Sequence, residues 1–190
     1  MNEVNANKDN NNITLDAKKV ETEVTVSETT TSTTVDDGTH CVTTRLMAGQ
    51  HYEAGIITVD VVGNQLAIIY TTNNDWAINA THLSIVDCQT ESFPITNSGN
   101  PKVGNFEYSS THSDGTHEVT YYIDLSEVPE NYCFAAHAEV TGPTGGQTAW
   151  GEGTGFDGNS WAMFVEGILS DCTGGDNPGD DSTGDDSTVS

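Results

Sequence analysis

Basic side chains are scarce in this chain of 190 residues. It has five lysine and arginine residues against 29 aspartate and glutamate residues, a formal net charge of −24. A surface of this charge repels nucleic-acid phosphates and anionic lipid headgroups over a long range. We therefore expect no nucleic-acid partner, whereas the acidity by itself says nothing about the fold.

Long apolar runs are also missing. No stretch approaches the length of about 18 apolar residues that a membrane-spanning helix needs, and no signal-peptide pattern follows Met1. We expect no transmembrane segment, and we expect Met1 to stand in place of a removed leader. Residues 1–35 are polar and rich in asparagine, as is typical of the tether behind the lipidated cysteine of a bacterial lipoprotein. That cysteine is not in the sequence, so a lipoprotein anchor is a hypothesis.

The four cysteines include no CxxC pair and have no zinc-site spacing. Their even number favours disulfides. Among the alternative pairings we favour Cys41 with Cys172 and Cys88 with Cys133. Two disulfides indicate an oxidising compartment, so we expect an extracellular or cell-surface protein.

The secondary structure reads as strand nearly throughout, because no segment carries a sustained helical period. Short β-rich runs are separated by turn signals such as Gly63-Asn64 and Gly145-Gly146. The runs are GIITVDVV, QLAIIYTT, HLSIVDC, EVTYYIDL, CFAAHAEV, QTAWGEG and WAMFVEG. We predict an all-β protein, an antiparallel β-sandwich or jelly-roll-like single domain.

Shifts in composition divide the chain into three parts. Residues 1–35 form an Asn/Thr-rich tether, residues 36–173 the β-sandwich domain, and residues 174–190 an acidic Gly/Asp/Ser/Thr tail. We expect both end segments to be disordered, because they have too little apolar surface to offset the entropy of ordering. Within the first, residues 20–26 alternate as a strand does. This strand is isolated, part of the domain, or donated to a neighbouring molecule for self-association.

The segment CFAAHAEV places a histidine and a glutamate in a run that is otherwise typical of a buried strand. The strand period of two puts His137 and Glu139 on the face opposite Phe134 and Val140. We predict that one face is core and the other a ladder of polar side chains.

A disulfide between Cys88 and Cys133 on neighbouring antiparallel strands would also set the register. The facing pairs would then be Ser84 with His137, and His82 with Glu139. A glutamate opposite His82 would favour the charged imidazole and raise its pKa.

Two kinds of site are open for these residues. His82, His137, Glu139 and Glu152 are candidates for a metal or acid–base site. No HExxH motif supports one, so we favour strand-face hydrogen bonding, expect no cofactor and leave a metal undecided. Hydrolysis at the face of His137, Glu139 and Glu152 stays an alternative.

Tryptophans beside polar residues are candidates for ligand contact. Trp76 follows Asp75, and Trp150 shares a strand face with Glu152 between flanking glycines. Extracellular β-sandwiches bind sugars by stacking them on such rings, although a domain of this size also needs large side chains in its core.

Six segments in this order resemble a β-rich domain that recurs in secreted and surface proteins of Bacteroidota and some other bacteria. They are LMAGQHYEAGIITV, WAINATHLSIV, SGNPKVGNFEY, CFAAHAEV, TAWGEGTGF and WAMFVEG, and they span roughly residues 45–167. Two positions depart from the pattern: Ala80 replaces an acidic residue before THL, and Glu107 replaces a proline. The family has no established activity, so the resemblance implies an extracellular context and no reaction.

These observations predict a non-catalytic recognition or adhesion module of a bacterial cell-envelope or secreted protein, with a glycan or a protein at the cell surface as its partner. Two alternatives remain beside it. One is a structural subunit of a surface assembly, joined by the donated strand at residues 20–26. The other is the hydrolase named above.

Overall fold

The computed structural model of the protein describes residues 24–32 and 39–173. This part contains eleven β-strands and one short α-helix. The strands are β1 (Thr25–Thr29), β2 (Val42–Ala48), β3 (Tyr52–Val62), β4 (Gln65–Thr72), β5 (Ala77–Asp87), β6 (Tyr108–Thr111), β7 (Glu118–Asp124), β8 (Asn131–Gly142), β9 (Gly145–Gly151), β10 (Thr154–Gly155) and β11 (Met163–Ile168), and the helix is α1 (Leu169–Thr173). Each of the seven predicted strand runs overlaps one of these strands, whereas β2, β6 and β10 were not predicted.

All the strand pairs are antiparallel and belong to one curved sheet. Its main path runs β6-β5-β8-β9-β2-β3-β4-β7-β1. Strand β8 is the hub, because β5 pairs along one edge while β11 and β9 share the other. The sheet bends into a nearly closed, sandwich-like arrangement, which confirms the all-β, antiparallel single domain.

The main core lies inside this curved sheet. Its largest fully buried side chains are Tyr70, Tyr121, Tyr132, Phe134, Leu46, Ile57, Leu66, Ile68, Ile78, Leu83, Ile123 and Val59. They come from alternate positions of strands, because side chains on one face recur with a period of two. The predicted core face of CFAAHAEV is confirmed, since Phe134, Ala136, Ala138 and Val140 all belong to this core.

The opposite face of β8 is not the polar ladder that the sequence predicts. A second apolar cluster of Phe106, Ala135, Trp150 and Ala162 covers it. Partly buried side chains from the connections at residues 88–107 and 152–162, and from β11, pack against that cluster; they are Phe93, Val103, Phe156, Trp161, Met163 and Phe164. The predicted ladder of polar side chains was wrong because apolar side chains of these connections pack on this face of β8 and are thereby removed from water. The sequence of a connection has no regular period, so it does not indicate which strand face the connection will cover.

The N-terminal strand belongs to the domain's own sheet. β1 pairs with β7 of the same chain, from Thr25 opposite Tyr122 to Thr29 opposite Glu118. Val24 is buried in the main core, and the Ser32 hydroxyl donates to the Thr72 carbonyl at 2.8 Å. The strand thus continues beyond the predicted end at residue 26, while residues 20–23, 33–38 and 174–190 lie outside the described residues.

A polar network joins the two ends of the main strand path. His112, which follows β6, lies 2.9 Å through Nδ1 from the Glu28 carboxylate of β1. Its Nε2 lies 2.7 Å from the Thr81 hydroxyl, which in turn lies 2.7 Å from the Tyr121 hydroxyl. The His112 side chain has no exposed surface. The chain therefore closes its sheet with side chains where strand pairing ends.

Both disulfides predicted from the sequence are present. Cys41 is bonded to Cys172 and Cys88 to Cys133, with Cα–Cα distances of 5.1 and 5.2 Å. The first joins the segment before β2 to α1, and the second joins the end of β5 to β8. They close loops of very different length, with sequence separations of 131 and 45 residues.

A glycine in β8 is required by the packing of Trp76. A Cβ atom on Gly142 would fall on the Trp76 indole, which is buried. We expect Gly142→Ala to lower the free energy of unfolding by about 1 to 3 kcal/mol, as overpacking commonly does. Urea unfolding of the two proteins measures this loss.

Gly146→Ala is the matched control, because a Cβ atom there meets no heavy atom within 4 Å. It is expected to leave stability unchanged or slightly higher, since alanine restricts the unfolded chain more than glycine does. Equal stability of the two variants would contradict the assigned packing of Trp76.

Candidate functional site

Three candidate residues form one row across the sheet. His82 on β5 faces His137 on β8, and His137 faces Trp150 on β9. The two histidines approach through their Nδ1 atoms at 3.1 Å, and their ring centroids are 5.1 Å apart. The Trp150 ring lies on the other side of His137 at 4.8 Å, in an edge-on arrangement. The row is a packed layer in which one imidazole nitrogen donates to the other.

The predicted register of these strands was wrong by two residues. Ser84 faces Ala135 instead of His137, and Glu139 faces Ala80 instead of His82. The reason is that Cys88 lies just beyond β5, while Cys133 faces Val86. The disulfide therefore links diagonal positions, not directly opposed ones.

Burial controls the ionisation of this row. It lowers the pKa of His137 to about 3, and the neighbouring His82 contributes in the same direction. Burial also lowers the pKa of His82, against a smaller opposing effect of the Glu139 carboxylate. The predicted rise in the pKa of His82 was therefore wrong, because the cost of desolvating a charged imidazole exceeds the attraction to an exposed glutamate. His137 is neutral at pH 7.

The residues of the hydrolase alternative are held by different partners. The Glu152 carboxylate contacts the Arg45 guanidinium at 2.7 Å. Glu139 is exposed to solvent, whereas His137 is buried, so these two side chains do not lie in one open site. Within residues 24–32 and 39–173, no three His, Cys, Asp or Glu side chains are grouped as a metal site requires.

Neither tryptophan offers an open ring face in this structure. Trp76 belongs to the main core, next to Tyr52 at a centroid distance of 6.1 Å. Trp150 belongs to the second cluster. Each has only 4% of its surface exposed. A sugar that stacks on either ring would first have to displace its neighbours.

A different group of side chains lines an open cavity beside the second cluster. We call it the phenylalanine cleft, and it has a volume of about 410 Å³. Three rings, three carboxylates and one disulfide define it: Phe93, Phe156 and Phe164; Glu91, Asp157 and Glu166; Cys88–Cys133. The three ring centroids are 5.3 to 5.4 Å from one another. None of these residues except the two cysteines was a sequence candidate.

Two connections that are held together form the walls of this cleft. The Asp87 side chain and carbonyl accept from the backbone N–H groups of Gln89 and Glu91, which turns the chain at the end of β5. Farther along, the Gly158 N–H donates to the Gly99 carbonyl at 3.1 Å, and the Asn100 side-chain oxygen accepts from the Ser160 N–H at 3.0 Å. A Cβ atom on Gly158 would strike Asn100, so the close approach requires glycine there. These bonds fix the position of the connection that carries Phe93 relative to the connection that carries Phe156.

The charge of the cleft has one sign. Glu91, Asp157 and Glu166 are exposed, and none of them has a side-chain hydrogen bond or ion pair with another described residue. Arg45 and Lys102 are the only basic residues between positions 36 and 173. Arg45 is engaged by Glu152, and neither lines the cleft.

A neighbouring cavity of about 500 Å³ shares Cys88 and Glu166 with the phenylalanine cleft. We call it the Ile168 cleft. It is lined on one side by Cys41 and Val42, and on the other by the end of β11, where Ile168 is 46% exposed. The two cavities therefore follow one another along the surface past Glu166.

The sequence contained a partial signal for this site. Phe164 and Glu166 share a face of WAMFVEG by the strand period, and Phe156 ends the segment TAWGEGTGF. Phe93 and Glu91 lie in a connection, where no period predicts a neighbour. Only the folded chain brings these residues together.

No family model, curated protein or solved structure matches this chain. The resemblance to the Bacteroidota surface domain therefore stays a prediction. Among the helices of the described residues, none has the length and apolar character to cross a membrane.

Proposed function

We propose that this domain is a non-catalytic recognition module that works outside the cell or at its surface, and that the phenylalanine cleft is its ligand site. The cleft is the single observation that carries the proposal. Its volume of about 410 Å³ falls within the range of roughly 300 to 1,000 Å³ of known ligand sites.

The construction of the cleft suits recognition. Partly buried phenylalanine rings stand beside carboxylates that have no partner among the described residues, so an apolar surface and free polar groups meet at one place. The walls of the cleft are attached to strands β8 and β11 and to the Cys88–Cys133 disulfide. A binding surface on such a rigid scaffold loses little conformational entropy when a ligand binds. Two disulfides suit an oxidising environment.

The alternative functions have less support. Hydrolysis would need His137 to reach a substrate, but its side chain is buried between His82 and Trp150. Strand donation would need β1 to leave its own sheet, where Val24 and Val26 pack on the core. No observation favours either over the cleft.

Substitution of a cleft phenylalanine tests the proposal. Ligands are found by screening the domain against an array of glycans and a library of peptides. Every ligand of the cleft is expected to lose at least about fivefold in affinity with Phe93→Ala, because a central aromatic contact is typically worth more than about 1 kcal/mol. Isothermal titration measures the affinity, and thermal unfolding verifies that the variant is folded.

Val62→Ala is the matched control, since Val62 is an exposed apolar residue at the end of β3 and lies outside the cleft. It is expected to bind like the unaltered protein. Ligands whose affinity is the same with Phe93→Ala as with Val62→Ala would overturn the assignment of the site.

A further inference from the structure

We propose that the ligand of the phenylalanine cleft is a basic segment of a partner protein, and that a lysine or arginine side chain enters between the rings and the carboxylates. This inference rests on the proposed function of the cleft and names the chemical class of what binds there.

The first argument is the uncompensated negative charge. Glu91, Asp157 and Glu166 line one cavity, and none of the described residues that line it is basic. None of the three side chains has a hydrogen-bond or ion-pair partner within the described ranges, whereas the Glu152 carboxylate, elsewhere on the same sheet, is paired with Arg45 at 2.7 Å. Carboxylates without a positive partner leave a negative potential in the cavity, and this potential attracts a cation.

The second argument is the hydrogen-bonding capacity of the lining. Ionised carboxylates only accept hydrogen bonds. Ammonium and guanidinium groups only donate, so the two sets are complementary. A sugar hydroxyl both donates and accepts, and the charged groups of this cleft would satisfy only its donor.

The third argument is the ring cluster. The long side chains of lysine and arginine have an apolar stem behind the charged head. Phe93, Phe156 and Phe164 provide apolar surface for the stem, and a ring face attracts a nearby cation. Rings and carboxylates in one cavity thus match both parts of such a side chain.

The neighbouring cavity indicates a segment longer than one side chain. The Ile168 cleft begins where the phenylalanine cleft ends, at Glu166, and it adds the Asp171 carboxylate and the exposed Ile168. Together the two cavities provide room for a basic residue with an apolar neighbour. The net charge of the whole chain, −24, steers a basic partner towards the protein and repels an acidic one.

The test uses pooled hexapeptides with a central arginine and random residues elsewhere, and a matched pool with glutamine at the centre. Binding of the full chain is measured by fluorescence anisotropy at low and at physiological salt. We expect the arginine pool to bind more tightly than the glutamine pool, with a preference that shrinks as salt rises. Equal binding of the two pools, or no binding of the arginine pool, would overturn the inference.

Neutral variants locate the interaction. Glu91→Gln, Asp157→Asn and Glu166→Gln are each expected to weaken arginine-pool binding by about two- to fivefold, the range of exposed charge pairs, and the triple variant by more than about tenfold. Asp114→Asn is the matched control, because it removes the same charge from an exposed turn outside both clefts. The control is expected to change binding by less than about twofold.

The outcomes separate this inference from the proposed function. If a neutral ligand or a glycan loses affinity with Phe93→Ala while the triple variant binds it normally, the cleft is the site and the basic ligand is wrong. If no ligand depends on Phe93, both proposals fail. If Glu91→Gln, Asp157→Asn and Glu166→Gln each weaken binding no more than Asp114→Asn does, the effect comes from net charge alone and the inference is overturned.

Discussion

Removal of the Cys41–Cys172 disulfide is expected to lower the free energy of unfolding by about 5 kcal/mol, by the chain-entropy relation for a loop of this length. The bond closes a loop with a sequence separation of 131 residues, so its loss frees a large part of the unfolded chain. Single domains are typically stable by only about 5 to 15 kcal/mol. We therefore expect the Cys41→Ala/Cys172→Ala variant to be close to unfolded at physiological temperature.

Urea unfolding of the double variant measures this loss. Cys88→Ala/Cys133→Ala provides the comparison, because it opens a loop with a separation of 45 residues and should cost about 1 kcal/mol less by the same relation. The second variant should also weaken ligand binding, since its disulfide lines the phenylalanine cleft. A loss below about 1 kcal/mol for the longer loop would contradict the expectation.

Acidification is expected to destabilise the domain through its buried histidines. Burial lowers the pKa values of His82, His112 and His137, the last to about 3. The unfolded chain therefore binds protons below about pH 6.5 that the folded protein does not, so stability falls as the pH drops. For His137 alone the loss is about 1.4 kcal/mol per pH unit between its unfolded and folded pKa values, which gives about 2 kcal/mol at pH 5.

A variant that lacks the His137 imidazole separates the contribution of His137 to the pH dependence of stability from the contribution of the many carboxylates. His137→Asn is expected to be less stable than the unaltered protein at pH 7 by about 1 kcal/mol, because the hydrogen bond to His82 is lost. Between pH 7 and pH 5 the stability of the variant relative to the unaltered protein should rise by about 2 kcal/mol, since the variant lacks the proton uptake on unfolding. At pH 5 the variant is therefore expected to be the more stable of the two by about 1 kcal/mol. Urea unfolding at the two pH values measures both quantities.

His51→Asn is the control for this experiment, because His51 lies in an exposed turn. It should follow the pH dependence of the unaltered protein. A constant difference between His137→Asn and the unaltered protein at both pH values would contradict the lowered pKa of His137.

Strand periodicity predicted most of the fold. Gln65–Thr72 is a strand at the residues of the run QLAIIYTT, and Gly63 begins the turn before it with a positive φ of 61°, where glycine is favoured. Two of the missed strands lack such a pattern: β6 is the short polar run YSST, and β10 has two residues. β1 continues past Val26 through Ser27, Glu28 and Thr29 because β7 offers them backbone partners, which is a tertiary effect.

The candidate site was less predictable. The period of two correctly placed His137 on the face opposite Phe134, but it carries no information about what covers that face. Phe93 and Phe156 lie in connections that meet through the bond between Gly158 and Gly99, a contact between positions far apart in the sequence. The register was missed because a single disulfide was treated as a directly opposed pair, whereas Cys88 lies beyond the last residue of β5.

The Cys41–Cys172 bond also determines how the domain responds to mechanical force. A pull on the two ends of the chain acts first on β1, and once β1 has left the sheet it acts on Cys41 and Cys172, whose Cα atoms are 5.1 Å apart. The covalent bond then carries the load, so the strands between the two cysteines bear almost none of it, and the phenylalanine cleft and the Ile168 cleft keep their shape under tension. β1 lies outside the covalent loop and is held to β7 by strand pairing, so it is the element that a pull would peel away. A domain built in this way would lose the pairing of β1 under tension while the part enclosed by the disulfide keeps its shape.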